Sequence, residues 1–182
     1  ELIQEVFLNE FDNNVLNEME DSAVINIDFN KLAFTTDSYT IKPLFFPGGD
    51  IGRLAVCGTV NDLLMRGAMP LFLSASFIIE EGFKIDALKK ISNSISRTCR
   101  EADVKIVAGD TKVVARGEVD GLFINTSGIG FVPQDINISI KNARPGDKVI
   151  ISGTIGDHGM AVLSSRNDFT FEPPLKSDCA PL

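Results

Sequence analysis

The chain has 182 residues, 44% of them hydrophobic, with a formal net charge of −8 and a pI near 4.6. That length supports one full core and part of a second domain. The acidity, without any basic cluster, excludes a nucleic-acid surface as the main function. An acidic protein still binds a polyanion such as ATP where a metal ion or backbone N–H groups carry the positive charge. The longest apolar runs, such as PLFLSASFII, fall far short of the roughly 20 residues that a membrane span needs. No secretory signal is visible. Cys57, Cys99 and Cys179 are odd in number and lack CxxC spacing, and His158 is the single histidine. A zinc site therefore has almost no ligands, and the expectation is reduced cysteines in a cytoplasmic protein. The chain has no initiator Met and stops at SDCAPL, so it is read as a piece of a longer chain.

In chain order, residues 1–11 read as a helix with Leu2, Ile3, Val6 and Phe7 on one side. SAVINIDF (22–29) and LAFTTDSY (32–39) read as strands joined by a short turn near Asn30 and Lys31. A Gly48–Gly49 turn follows, with Asp50 as N-cap of a helix opening at Ile51. Gly67 is that helix's C′ residue, and Pro70 prevents its continuation. LFLSASFIIE (71–80) is a strand. Residues 83–104 form an amphipathic helix, with Ile85, Leu88, Ile91, Ile95, Cys99 and Ala102 at helical spacing. VKIVAGD (104–110) and GLFINTSGIGFV (121–132) are strands. NARPGDKVIISG reads as a turn and a strand of a new unit, and GDHGMAVLSS as a loop and a helix start. The order β-β-α-β-α-β-β predicts an α/β protein of the α+β type, with a mixed sheet and helices on one face. The boundary falls near residues 133–146, which gives domains of 1–138 and 139–182.

The chemistry sits with four aspartates. Asp21 precedes the first strand, Asp37 is near the end of the second, Asp62 lies on the first buried helix, and Asp110 follows VAG in a later strand. Gathered at one sheet edge, they would repel one another and raise each other's pKa. Mg²⁺ resolves that conflict, since it binds through a few carboxylates together with substrate phosphates. The plain alternatives stand beside this reading. Asp62 has Arg66 at i+4 as an ion-pair partner, worth ~0.3–0.5 kcal/mol on an exposed face. The PGGDIG segment can present N–H groups to an anion, or be only a turn. AGDTK (108–112) suits phosphate and metal contact, or is a solvated turn. For His158 a structural role is the favoured reading. Nucleophile signatures such as GxSxG are absent.

DSAVI, FTTDSYTIKPLFFPGGDIGRLAVCGTVNDLLMRGAMPLFLS, IVAGDTKVV, NTSGIG and SGTIGDHGMAVLSSR, in this order and over nearly the whole chain, together resemble the HypE family. This is a family of [NiFe]-hydrogenase maturation factors within the AIR-synthase-like (PurM-like) ATP-binding superfamily. GDHGMAVLSSR and SDCAPL favour it over selenophosphate synthetase or thiamine-monophosphate kinase types, which remain the alternative. A degenerate module that only docks partner proteins is a third reading, against which the intact set of aspartates argues.

The resemblance implies a two-domain α/β protein whose first domains pair in a homodimer, two four-stranded sheets joining into a barrel. It implies ATP with Mg²⁺ in a cleft beside that barrel. The implied reaction is ATP-driven dehydration of a carbamoyl group, carried as a thiocarboxamide on a C-terminal cysteine, to a thiocyanate. The cyanide goes to the iron of the hydrogenase cofactor. A HypF-like carbamoyltransferase is the implied donor of the carbamoyl group and the HypC–HypD complex the implied acceptor, with no nucleic acid or membrane partner. Asp21, Asp37, Asp62 and Asp110 fall on the family's acidic ATP–metal positions, with Asn61 and Thr111 beside them and Gly48 and Gly49 in its glycine turn. Asp62 is the candidate proton acceptor in dehydration. Lys112 is the candidate for steadying charge on the phosphoryl group or the activated amide oxygen. The family's Gly-rich segment before the first helix, most of its second domain and the tail with the carrier cysteine have no counterpart in this sequence. Cys179 is not that carrier, because SDCAPL matches an internal motif.

Overall fold

The computed structural model describes residues 13–182, apart from residues 15, 28, 29 and 168. The helix expected over residues 1–11 lies outside the described residues. The strands are β1 (Ala23–Ile27), β2 (Asn30–Tyr39), β3 (Phe45–Phe46), β4 (Gly49–Asp50), β5 (Met69–Glu80), β6 (Lys105–Val114) and β7 (Leu122–Val132). The helices are α1 (Ile51–Met65), α2 (Ile85–Glu101) and α3 (Asp157–Arg166).

One mixed sheet runs in the order β1-β2-β7-β5-β6, and β3 pairs with β4 in a small hairpin. Within the main sheet only β5 and β6 are parallel, joined through α2. This is the mixed α/β architecture expected from the element order. Where the family resemblance implied four strands, the sheet has five, because β1 adds antiparallel to the outer edge of β2.

Alternation decides which face is covered. In β7, Leu122, Ile124, Thr126, Gly128, Gly130 and Val132 are buried, and the residues between them are not. The buried set faces α1, which packs on β2, β7 and β5, while α2 packs against α1. The core joins Ile51, Ala55, Val56 and Val60 of α1 to Ile91, Ile95 and Cys99 of α2 and to Leu73, Leu122 and Ile124 of the sheet. The caps follow the sequence. Asp50 accepts hydrogen bonds from the N–H groups of Gly52 and Arg53 at 2.8 and 3.0 Å, and Gly67 follows the helix with φ +68°.

One expectation fails. The strand predicted near residues 148–152 does not form, and Val149, Ile150 and Ile151 are 93%, 88% and 63% exposed. Among the described residues no strand lies beside the segment to take its backbone hydrogen bonds, and an apolar run without a ladder partner does not stay extended in a sheet. The helix predicted to follow it forms as α3.

Polar groups under α1 are satisfied by one another. Tyr39 Oη lies 3.2 Å from Thr59 Oγ1, which lies 2.5 Å from Thr126 Oγ1, and Thr126 Oγ1 donates to the Ala55 carbonyl at 3.1 Å. Gly58 makes room for this chain, since a Cβ there would lie 2.2 Å from Tyr39 Oη. Gly58→Ala is expected to lower the unfolding free energy by about 1–3 kcal/mol, read by urea denaturation. Combined with Tyr39→Phe, it should cost less than the sum of the two single changes.

Candidate active site

The site grows from β2 and α1. Thr35, Asp37 and Tyr39 alternate onto the helix-covered face of β2, and Asp62 leans toward them from α1. Thr35 Oγ1 lies 3.1 Å from Asp62 Oδ2 and 3.1 Å from the Asp21 carbonyl, and its single proton serves one acceptor at a time. Tyr39 Oη donates to Asp37 Oδ2 at 2.8 Å. Burial holds the Tyr39 phenol well above its usual pKa, so it remains a donor.

Asp62 carries the electrostatic signature. Its pKa is raised from 3.8 to about 6, first by burial, with the negative charges of Asp37 and Asp21 adding to the shift and the Thr35 hydrogen bond opposing it. The charges of two other predicted aspartates therefore reach Asp62. Arg66, read in the sequence as a partner for Asp62, turns elsewhere. It is buried, donates to the carbonyls of Ser22 and Ile138 at 3.0 Å each, and stands 3.6 Å from Glu18. It thus pins the chain on either side of Asp21 instead of neutralising Asp62.

Asp110 does not join the other three. It pairs with Ser76 and, through β5 and β7, lies in the row of Asn125 and Ser38. Asp37 lies in the adjacent row with Thr126, whose side chain meets α1. Asp110 and Lys112 consequently stand on the open face of the sheet, three strand spacings or roughly 14 Å from β2. Thr111 alternates to the other face and lines, with Ala75, Phe77 and Ile95, an open cleft of about 600 Å³ between β6 and α2. Both Asp110 and Lys112 lie inside β6 rather than at a strand end. Among the described residues, no three His, Cys, Asp or Glu side chains stand close enough to hold a metal ion.

Gly48, Gly49 and Asn61, expected to bind ATP, lie against other parts of the chain in this structure. The first N–H groups of α1 are already taken: Ile51 donates to the Leu44 carbonyl, and Gly52 and Arg53 donate to Asp50. The glycine turn is occupied by the chain itself. Ser177 N donates to the Pro47 carbonyl at 2.8 Å, and a Cβ on Gly48 would come within 2.6 Å of Ser177 N. Asn61 grips the same segment, its Nδ2 donating to the Ala180 carbonyl at 3.0 Å and its Oδ1 accepting from Leu182 N at 3.1 Å. Residues 177–182 thus form a strap along α1. His158 ties the strap from α3: its backbone N–H donates to Asp178, and its Nδ1 lies 3.0 Å from Ser177 Oγ. That is the structural role favoured for it.

Sequence reasoning missed Thr35 and Tyr39. The signal was present, since both fall two residues from Asp37 in a strand of period two. It missed the strap because nothing local marks residues 177–182 as packing on a helix more than a hundred residues earlier.

A family model described as AIR synthase related protein, N-terminal domain, matches residues 19–132, more than half of the chain. The chain belongs to the AIR synthase-related family. Within it, the similarity runs to the HypE proteins over the full length. The chain is 52% identical over 182 residues to the carbamoyl dehydratase HypE of Bradyrhizobium diazoefficiens, covering 100% of this chain and 53% of that protein. Toward the Escherichia coli K12 protein of the same name it is 47% identical over 187 residues, covering 100% and 56%. A chain in a crystal structure of a HypE–HypF complex superposes with a TM-score of 0.93 at 63% identity, over 100% of this chain and 58% of that one. A HypE crystallised in complex with ATP gives 0.82 at 51% identity, over 100% and 54%. The chain spans about half the length of the relatives it matches.

Asp62 binds its proton more tightly folded than unfolded. Its contribution to stability is complete below pH 3.8 and is lost as pH rises through about 6. Asp62→Asn removes that loss. The variant should be more stable than the parent by on the order of 1 kcal/mol at pH 7, after discounting for partial exposure of the side chain, with the gap closing below pH 4; urea unfolding at the two pH values reads it. Asn61→Ala should cost about 1 kcal/mol and speed amide exchange at Leu182, measurable by hydrogen exchange with mass spectrometry.

Proposed function

We propose that the full-length protein is an ATP-dependent carbamoyl dehydratase of the HypE type. The observation that carries this reading is Asp62, a partly buried carboxylate on α1 with a pKa raised to about 6 and within reach of the charges of Asp37 and Asp21. Similarity to HypE proteins over the whole of this chain, one of them crystallised with ATP, supports it over a kinase or ligase of the wider superfamily.

The three carboxylates suit a cation that arrives with a polyanion. They do not converge closely enough to hold an ion by themselves; Mg²⁺ would offset the charge that Asp37 and Asp21 place on Asp62, with phosphate oxygens of ATP as further ligands. Asp21, Asp37 and Asp62 are the proposed holders. Bound Mg·ATP would supply the phosphoryl group and a compensating positive charge. Thr35 holds Asp62 by a hydrogen bond to Oδ2, and Tyr39 holds Asp37. Asp62 takes one of the two N–H protons of the carbamoyl nitrogen as the oxygen departs as phosphate, and the other passes to solvent. The balance is thiocarboxamide plus ATP giving thiocyanate, ADP and phosphate, with the cysteine sulfur keeping its bond to carbon throughout.

Asp110 and Lys112 enter this reading only through a homodimer. The open sheet face carries Phe34, Phe72 and Ile129 in one row, 42%, 44% and 40% exposed, and β6 is exposed along nearly its whole length. Closing two such faces into a barrel covers the apolar row and sets these polar residues against the partner subunit. We further infer a HypF-like carbamoyltransferase as donor, as in the HypE–HypF complex of a relative, and HypC–HypD as acceptor. A cytoplasmic location fits three unpaired cysteines, and among the described residues no helix is long and apolar enough to cross a membrane.

Calorimetry on the full-length protein should show ATP binding that weakens at least tenfold without Mg²⁺ and in Asp37→Asn, while Asp62→Asn should form no thiocyanate yet remain folded by circular dichroism. Undiminished thiocyanate formation in Asp62→Asn would overturn the assignment.

A further inference from the structure

Arg53, Cys57 and Asn61 recur every four residues and share one face of α1. The strap meets all three. Arg53 Nε donates to the Cys179 carbonyl at 2.8 Å, and Asn61 grips Ala180 and Leu182. Cys179 is thereby held over Cys57, its carbonyl fixed to Arg53 one helical turn away, and the two thiols influence one another. Cys57 is 2% exposed, while Cys179 is only half-buried. Two thiols brought together across 121 intervening residues are not needed by the proposed chemistry. Arg53 is itself fixed by a two-pronged pair with Glu101 of α2, at 2.6 and 3.0 Å, so the strap's anchor is rigid.

We infer that Cys57 and Cys179 are an oxidation-sensitive pair, and that a low-molecular-weight disulfide such as oxidised glutathione converts them to a disulfide that locks residues 177–182 onto α1. The half-buried Cys179 reacts first. The neighbouring Cys57 thiol, joined by the Arg53 guanidinium, lowers its pKa and favours the thiolate. Its sulfur attacks one sulfur of the glutathione disulfide, forming a mixed disulfide and releasing one glutathione thiolate. Cys179 and burial hold the Cys57 thiol well above its usual pKa; with Cys179 in the mixed disulfide its share of that shift is gone, and the Cys57 thiol gives its proton to the departing glutathione as it attacks the Cys179 sulfur. Two protein thiols are oxidised, one glutathione disulfide is reduced to two thiols, and the two protons pass to the departing glutathiones. The strap has little freedom to move away, so the second step is intramolecular and fast relative to escape. The inference stands on the fold and does not depend on the proposed activity.

The test uses the full-length protein, incubated with oxidised glutathione and digested under non-reducing conditions for mass spectrometry. The expected product is one cross-linked pair of peptides containing Cys57 and Cys179, two hydrogens lighter than their sum. Cys179→Ser and Cys57→Ser should each abolish it, and Cys99→Ser should leave it intact. Performed in urea, the yield should fall by roughly tenfold or more, since folding supplies the effective concentration of one thiol at the other. Hydrogen exchange at residues 180–182 should slow in the oxidised protein. Thiols that stay free, glutathione adducts that never resolve to the cross-link, or equal cross-linking in urea would each overturn the inference.

Discussion

The seating of α1 on the sheet is the constraint from which the other features follow. Three sides of this helix are committed. Ala55, Thr59 and Leu63 press on the sheet, Gly52 meets the Ile91 carbonyl of α2, and the Arg53–Cys57–Asn61 stripe takes the strap. A helix so enclosed cannot rotate to relieve a poorly placed charge. Asp62, one position past that stripe, is therefore held against Asp37 and Asp21, and its raised pKa is a consequence of packing elsewhere along the helix.

The same constraint explains why buried polar groups cluster under α1. Thr59 and Thr126 are almost inaccessible, and each hydroxyl needs a partner once water is excluded. They find one another and Tyr39, whose own hydroxyl reaches outward to Asp37. A chain of hydroxyls thus runs from the core to the edge of the site. Asp37 is oriented by a group whose position the core decides, and Thr35 does the same for Asp62 from one strand register earlier. Orientation of carboxylates by neighbours that cannot move is the property a phosphoryl-transfer site requires, because its chemistry rests on positioning and charge.

The division of the predicted acidic set is equally physical. Asp37 and Asp110 are both in strands of one sheet, but they lie in adjacent rows, and adjacent rows face opposite sides. Nothing within one chain brings them together. The open face that carries Asp110 and Lys112 also carries the row of Phe34, Phe72 and Ile129, so an uncovered apolar row and these charged residues occupy the same surface.

Much of this molecule was legible in its linear order. Period-two and period-3.6 patterns located the five long strands and the helices at 51–65 and 85–101, and Asp50 and Gly67 marked the ends of the first helix, because these signals depend only on neighbours a few residues apart; the family was legible as a resemblance in the set of motifs. The apolar run at 148–152 shows the limit of such signals: pattern alone predicts a strand, but a strand exists only where another offers its ladder. What tertiary structure alone decided was which side chains meet. It separated Asp110 from Asp21, Asp37 and Asp62, turned Arg66 away from Asp62 toward the Ser22 and Ile138 carbonyls, and laid residues 177–182 across Gly48, Cys57 and Asn61. Contacts over such separations are selected by packing and by the pairing of buried polar groups, which no local stretch of sequence encodes.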